Sequence, residues 1–182
     1  GNRIDLILDG GPCAVGVEST VVRMTEVRPI ILRHGGVTQE QIEAVVGPVD
    51  VHAADESSKT EVACSSSEAQ PAGVVAPGML SQHYSPTTPL ALVNDVMPES
   101  MTGKRVGLLR FSEASEPLLV GQGFSRIETL TSDGNLRTAA ATFFAALRRL
   151  DSAGLDLIVA ESFPEEGLGR ALNDRLKRAC HR

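Results

Sequence analysis

Tryptophan is absent from this 182-residue chain, tyrosine occurs once, and aromatic residues make up only 3% of it. Any core must therefore rest on aliphatic side chains and a few phenylalanines, and 42% hydrophobic content supplies enough of them for a globular protein. Cysteine is scarce as well. Cys13, Cys64 and Cys180 lie far apart with no Cys-x-x-Cys spacing, which argues against both a zinc site and a disulfide framework and leaves reduced, structural thiols. No apolar run approaches the roughly 20 residues of a membrane span, and the first residues lack the basic, apolar and small-residue succession of a signal peptide. The expectation is a soluble, cytoplasmic protein with no membrane partner. The chain enters an apolar segment directly after Gly1, Asn2 and Arg3, with no initiating Met, and so reads as a fragment of something longer.

An excess of positive charge is also missing. The net charge is −6; residues 1–88 hold 5 basic and 11 acidic side chains, whereas residues 89–182 hold 12 of each. Affinity for a phosphate backbone depends on Lys and Arg displacing counterions, so strong direct nucleic-acid binding is not expected.

Hydrophobic patterning predicts an α/β protein. Residues 4–8, 20–24 and 29–33 are short apolar or β-branched runs that read as strands. Thr38 followed by Gln41 has the spacing of a capping box, Ile42, Val45 and Val46 continue as a helical stripe, and Gly47 is a stop. Periodicity then disappears between His52 and Pro89, where 56–70 is rich in Ser, Ala and Glu, the signature of an interdomain linker. Beyond it, 90–93, 105–111, 126–130 and 155–160 are predicted strands. Ser132 or Asp133 is placed to cap a helix running to Leu150, and a last helix covers about 169–180. That order suits a small Rossmann-like, mostly parallel sheet covered by helices. The predicted divisions are 1–50, a linker over 51–88, and 89–182.

Four motifs carry chemistry. In DGGPCAVGVESTVV, residues 9–22, glycines at 10, 11 and 16 precede Ser19 and Thr20 at a strand mouth, so backbone N–H groups can approach an anion; a glycine-rich turn with locally satisfied hydroxyls is the alternative. It is not a Walker loop. Arg33 ends the next strand and, followed by His34, Gly35 and Gly36, presents a guanidinium fork suited to phosphate; a surface Arg at a strand end is the alternative, and His34 reads as a turn residue. APGMLSQHYSP, residues 76–86, places Met79, His83 and the sole tyrosine, Tyr84, between prolines, as a lid over a nucleobase or as a simple anchor of the linker. GLGRALNDRLKRA, residues 167–179, carries Arg170, Asp174 and Arg178 four apart, an anion-receiving helix start or, more commonly, a solvated charge ladder.

Taken in order, these motifs together with ALRRLD resemble consecutive landmarks of the long form of the L-threonylcarbamoyladenylate synthase family, across essentially the whole chain. The resemblance implies that 1–50 is the C-terminal part of a YrdC-like α/β catalytic domain, that 51–88 is a linker with an active-site lid segment, and that 89–182 is a C-terminal Rossmann-like domain. It implies an enzyme that condenses L-threonine, bicarbonate or CO2, and ATP with Mg²⁺ into threonylcarbamoyl-adenylate, which goes on to the machinery that transfers threonylcarbamoyl to tRNA adenosine. Carried over by motif, Ser19 and Thr20 would bind threonine, while Arg33, Tyr84 and His83 would bind ATP. No covalent protein nucleophile and no resident metal ligand are implied. The family usually has Pro at His34, and its triphosphate-gripping Lys and Arg residues and Ser-Ala-Asn motif have no counterpart here, so this fragment alone is expected to be inactive. A non-catalytic nucleotide-, tRNA- or partner-binding module is the competing expectation.

Overall fold

The computed structural model describes residues 5–6, 8–11, 13–52, 85–96, 101–113 and 123–180. Two sheets organise them. The first has three strands, β1 (Val21–Arg23), β2 (Ile30–Arg33) and β3 (Asp50–Val51), in the order β1-β2-β3. β1 pairs antiparallel to β2 with a bulge between Val21 and Val22, and β3 runs parallel to β2 after helix α1 (Gln39–Val46). The predicted capping box is formed: the Thr38 hydroxyl accepts from Gln41 N and the Gln41 side chain accepts from Thr38 N. β3 carries no alternating apolar pattern and was not anticipated. The strand predicted for 4–8 is not seen among its described residues: Asp5, Leu6 and Leu8 belong to no strand, and Leu6 and Leu8 are solvent-exposed. An apolar run becomes a strand only when an edge is available to pair with it.

The second sheet contains β4 (Leu90–Leu92), β5 (Val106–Ser112), β6 (Arg126–Thr131) and β7 (Leu157–Ala160) in the order β4-β7-β5-β6, every pair parallel. Its strands match the predicted runs to within one or two residues at most ends, and a 3-10 turn at Val93–Asp95 follows β4. Helix α2 (Leu136–Asp151) crosses from β6 back to β7 and buries Ala139, Ala140, Phe143, Ala146, Leu147 and Leu150; of the stripe that helical spacing predicts, Ala140, Phe143, Leu147 and Leu150 are buried and Leu136 and Phe144 pack partly buried against the same core. Phe143 meets Phe163 edge-on with centroids 6.0 Å apart, and Phe163 meets Phe111 in the same way at 5.5 Å. Phe144 meets Phe143 at 5.1 Å, so the aromatic shortage is met by joining four of five phenylalanines in one chain of ring contacts.

Asn135, rather than Ser132 or Asp133, caps α2. Its Oδ1 accepts from Arg137 N and Thr138 N at 2.9 and 3.1 Å. Asp133 is diverted into a local turn, accepting from the Thr131 hydroxyl and Asn135 N, and Gly134 at φ +80° reverses the chain between them. Helix α3 (Leu168–Cys180) closes the layer, with Asn173 buried and bonded through both ends of its amide to Phe163 N and O at 2.9 Å.

Asp151, the last residue of ALRRLD, fastens the approach to β4: its carboxylate accepts from Thr87 N and Thr88 N at 3.1 and 2.8 Å. Burial pushes this carboxyl up, but the Thr88 and Thr87 hydrogen bonds outweigh that and hold its pKa below the ordinary value. Its contribution is therefore complete above the unfolded pKa of about 3.9 and is lost as pH falls through the lower folded value. Asp151→Ala should cost about 1.5–3 kcal/mol at pH 7, measured by urea unfolding. The gap to the parent chain should narrow as the pH drops below about 4, the unfolded carboxyl value. A gap independent of pH would show that the charge plays no part.

Candidate functional site

The two halves meet at the strand mouth. Gly16, at φ +69°, lies with its backbone against α2 so closely that a Cβ there would sit 2.0 Å from Ala140 O. Its missing side chain thus serves a close approach between segments, not access for an anion. Val17 packs on the main core beside it. The next residues, Glu18, Ser19 and Thr20, turn into β1, and Gly36 N donates to Glu18 O at 2.8 Å to hold the turn after β2 alongside.

Ser19 and Arg33 are brought together. Arg33 ends β2 opposite Val21, only 9% exposed, and its Nη2 donates to Ser19 O at 2.9 Å and contacts Ser19 Oγ at 3.4 Å. Ser19 itself is exposed, and its hydroxyl lies beside a sheltered guanidinium. A hydroxyl donor over a cation withdrawn from bulk water suits a carboxylate or phosphate oxygen. Thr20 behaves differently: its hydroxyl donates to Val37 O and accepts from Val37 N at 3.1 Å, so it splints the neighbouring turn. His34 is half-buried; burial first, then the Arg170 charge, lower its imidazole pKa, which leaves it neutral at pH 7. His83 and Tyr84 lie outside the described residues.

Two residues the sequence did not single out complete the cluster. Glu18 Oε2 lies 3.6 Å from Arg33 Nη1 and 2.8 Å from Arg175 Nη2, and that same Nη2 donates to His34 O at 3.2 Å. Arg175, on α3, is 1% exposed. The ladder expected on α3 is accordingly not a solvated face: Asp174 pairs with both Arg175 and Arg178, and Arg170 crosses to Glu40 on α1. A signal was present, because Arg175 falls in register with Leu168, Leu172, Leu176 and Ala179, an Arg inside an apolar helical stripe.

The Arg170 hydrogen bond holds the Glu40 carboxyl down at about 2, against an ordinary 4.5. Since the folded value is depressed, this latch contributes above pH 4.5 and is lost as the pH falls toward 2. Glu40 is half-exposed and screened by solvent, so Glu40→Gln should change stability by less than ~1 kcal/mol at pH 7. That small difference should vanish near the folded pKa of about 2, as read from paired urea midpoints. Among the described residues no group of three or more His, Cys, Asp or Glu gathers to hold a metal ion, and no helix is long and apolar enough to cross a membrane.

Known proteins resemble the chain along most of its length. The threonylcarbamoyl-AMP synthase of Bacillus subtilis is 37% identical over 191 residues, covering 98% of this chain and 49% of its own length. The Pyrococcus abyssi enzyme of the same name is 33% identical, covering 97% and 49%, and that of Schizosaccharomyces pombe is 34% identical, covering 98% and 45%. The chain thus spans about half the length of the curated relatives it matches. The crystal structure of P. abyssi Sua5 complexed with L-threonine superposes with a TM-score of 0.74 at 30% identity, over 98% of this chain and 50% of that one. A form of that protein with a His and the following Tyr both replaced by Ala gives 0.69 at 29% identity, over 94% and 47%. A family model described as telomere recombination matches residues 1–35. A second, threonylcarbamoyl-AMP synthase, C-terminal domain, matches residues 37–180, and this chain belongs to that family.

Proposed function

We propose that this chain is the C-terminal part of an enzyme that makes threonylcarbamoyl-adenylate from L-threonine, bicarbonate or CO2, and ATP, in the cytoplasm, for tRNA threonylcarbamoyladenosine modification. The observation that carries the reading is the Ser19 hydroxyl set 3.4 Å from the buried Arg33 guanidinium. In this assignment 1–50 is the end of the catalytic YrdC-like domain, 51–88 is the linker and 89–182 is the Rossmann-like domain. Ser19 binds threonine, with Thr20 shaping the turn beside it, and Arg33 takes ATP oxygens. Tyr84, with His83, closes over the nucleotide. Support for the last pair comes from the P. abyssi form altered at an adjacent His and Tyr, since His83-Tyr84 is the sole His-Tyr dipeptide of this sequence.

The chemistry asks for positioning and charge stabilisation. A threonine carbamate oxygen attacks the α-phosphorus of ATP in line; the new P–O bond forms as the bond to the β-phosphate oxygen breaks and pyrophosphate leaves. No protein nucleophile enters. A guanidinium sheltered from bulk water stabilises phosphate charge more strongly than an exposed one. Mg²⁺ would arrive on the ATP phosphates.

The test is pyrophosphate release by a polypeptide completed to the length of the relatives. Release that requires threonine, bicarbonate and ATP together is expected; release indifferent to threonine would reject the reading. Against nucleotide binding by the competing module reading stands α2, where two N-terminal N–H groups that could receive phosphate, those of Arg137 and Thr138, are engaged by Asn135. Calorimetric binding of nucleotide or tRNA to residues 89–182 would revive it.

A further inference from the structure

Resting on the reading above, we propose that Arg175 of the C-terminal helix is a positioning residue for the Ser19 and Arg33 site. The two residues it grips are the immediate sequence neighbours of that pair: Glu18 precedes Ser19 and His34 follows Arg33. One nitrogen, Nη2, reaches Glu18 Oε2 at 2.8 Å and His34 O at 3.2 Å. Burial to 1% exposure, with Asp174 pairing the other terminal nitrogen, leaves the guanidinium little freedom to move. The strand mouth and the end of β2 are thereby fixed from an element more than 140 residues away in sequence.

The grip also sets a competition. Glu18 Oε2 is 2.8 Å from Arg175 but 3.6 Å from Arg33, so the nearer cation holds the carboxylate back from the site arginine. Without Arg175, Glu18 closes on Arg33, and an incoming phosphate must displace a tight carboxylate partner. The catalytic half and the C-terminal domain are then coupled through one carboxylate, which gives the C-terminal domain a specific task in substrate binding.

Two measurements on Arg175→Met decide the matter. In this chain, hydrogen exchange at Gly36 N, which donates to Glu18 O at 2.8 Å, reports the strand mouth, while Ala140 N reports α2. Exchange at Gly36 should rise by about tenfold or more, with Ala140 changing by less than about twofold. Equal acceleration at both sites, or none at Gly36, overturns the proposal. If Arg175→Met does not fold, Arg175→Lys, with one ammonium for two acceptors, takes its place under the same criteria. In the completed polypeptide, Arg175→Met should raise KM for ATP by about tenfold with kcat within about threefold, and Glu18→Gln added to it should bring KM back to within about threefold of the parent. An unchanged KM, or no relief from Glu18→Gln, overturns the competition. A completed parent polypeptide that releases no pyrophosphate would instead defeat the functional reading, and the exchange pattern would still judge Arg175.

Discussion

Arg33→Ala in the completed polypeptide is expected to lower kcat/KM for ATP by about 30- to 1,000-fold, or ~2–4 kcal/mol of transition-state stabilisation. The size follows from position. Arg33 is 9% exposed, so its charge acts on a bound phosphate with less solvent screening than a surface arginine would have. It also carries the Ser19 carbonyl through Nη2 at 2.9 Å, and removing it strips that acceptor of a donor while withdrawing a cation that Glu18 shares with Arg175. Structural and substrate effects can be separated by Arg33→Lys, which keeps the charge but loses the fork; it should recover only part of the activity. A parallel urea titration shows how much of any loss is instability. Wild-type ATP turnover in Arg33→Ala would remove Arg33 from the site.

Parts of this arrangement were legible in the sequence. Helix α2 announces itself because it buries one periodic face, β5 because it is a nearly continuous apolar run buried along most of its length, and Thr38 with Gln41 specified the start of α1 through a local hydrogen-bond pattern. Arg33 was visible as an arginine between a strand end and two glycines. Its burial was not, because burial is decided by what lies over it. Asn135 and Asp133 are both good caps, and only the turn through Gly134 tells which one reaches the helix. Residues 4–8 have the composition of a strand, yet composition does not supply a pairing edge. Charge spacing along one helix does not reveal the pairing of Arg175, because its partners Glu18 and His34 lie on another part of the chain.

Gly35 is where fold and site become one constraint, and Gly35→Ala is expected to damage both. A Cβ there would sit 2.3 Å from Glu18 O, 2.4 Å from Ser19 C and 2.5 Å from Thr20 N. All three are backbone atoms of the strand mouth, so no side chain can swing away to make room. The turn carrying Gly35 must then separate from residues 18–20, which breaks the Gly36 N to Glu18 O bond and lengthens the Arg33 contact with Ser19. Overpacking against rigid backbone costs about 1–3 kcal/mol, and the lost hydrogen bonds place the expected total near the top of that range. Gly10→Ala is the matched control: among the described residues nothing lies within 4 Å of its Cβ, and the change should stay within about 0.5 kcal/mol. If Gly35→Ala unfolds at the same urea concentration as Gly10→Ala, the strand mouth is not packed as described. If it is destabilised but the completed polypeptide keeps its KM for ATP and threonine, the contact supports the fold alone. Loss of both together is expected, because the backbone that Gly35 touches is the same backbone that presents Ser19.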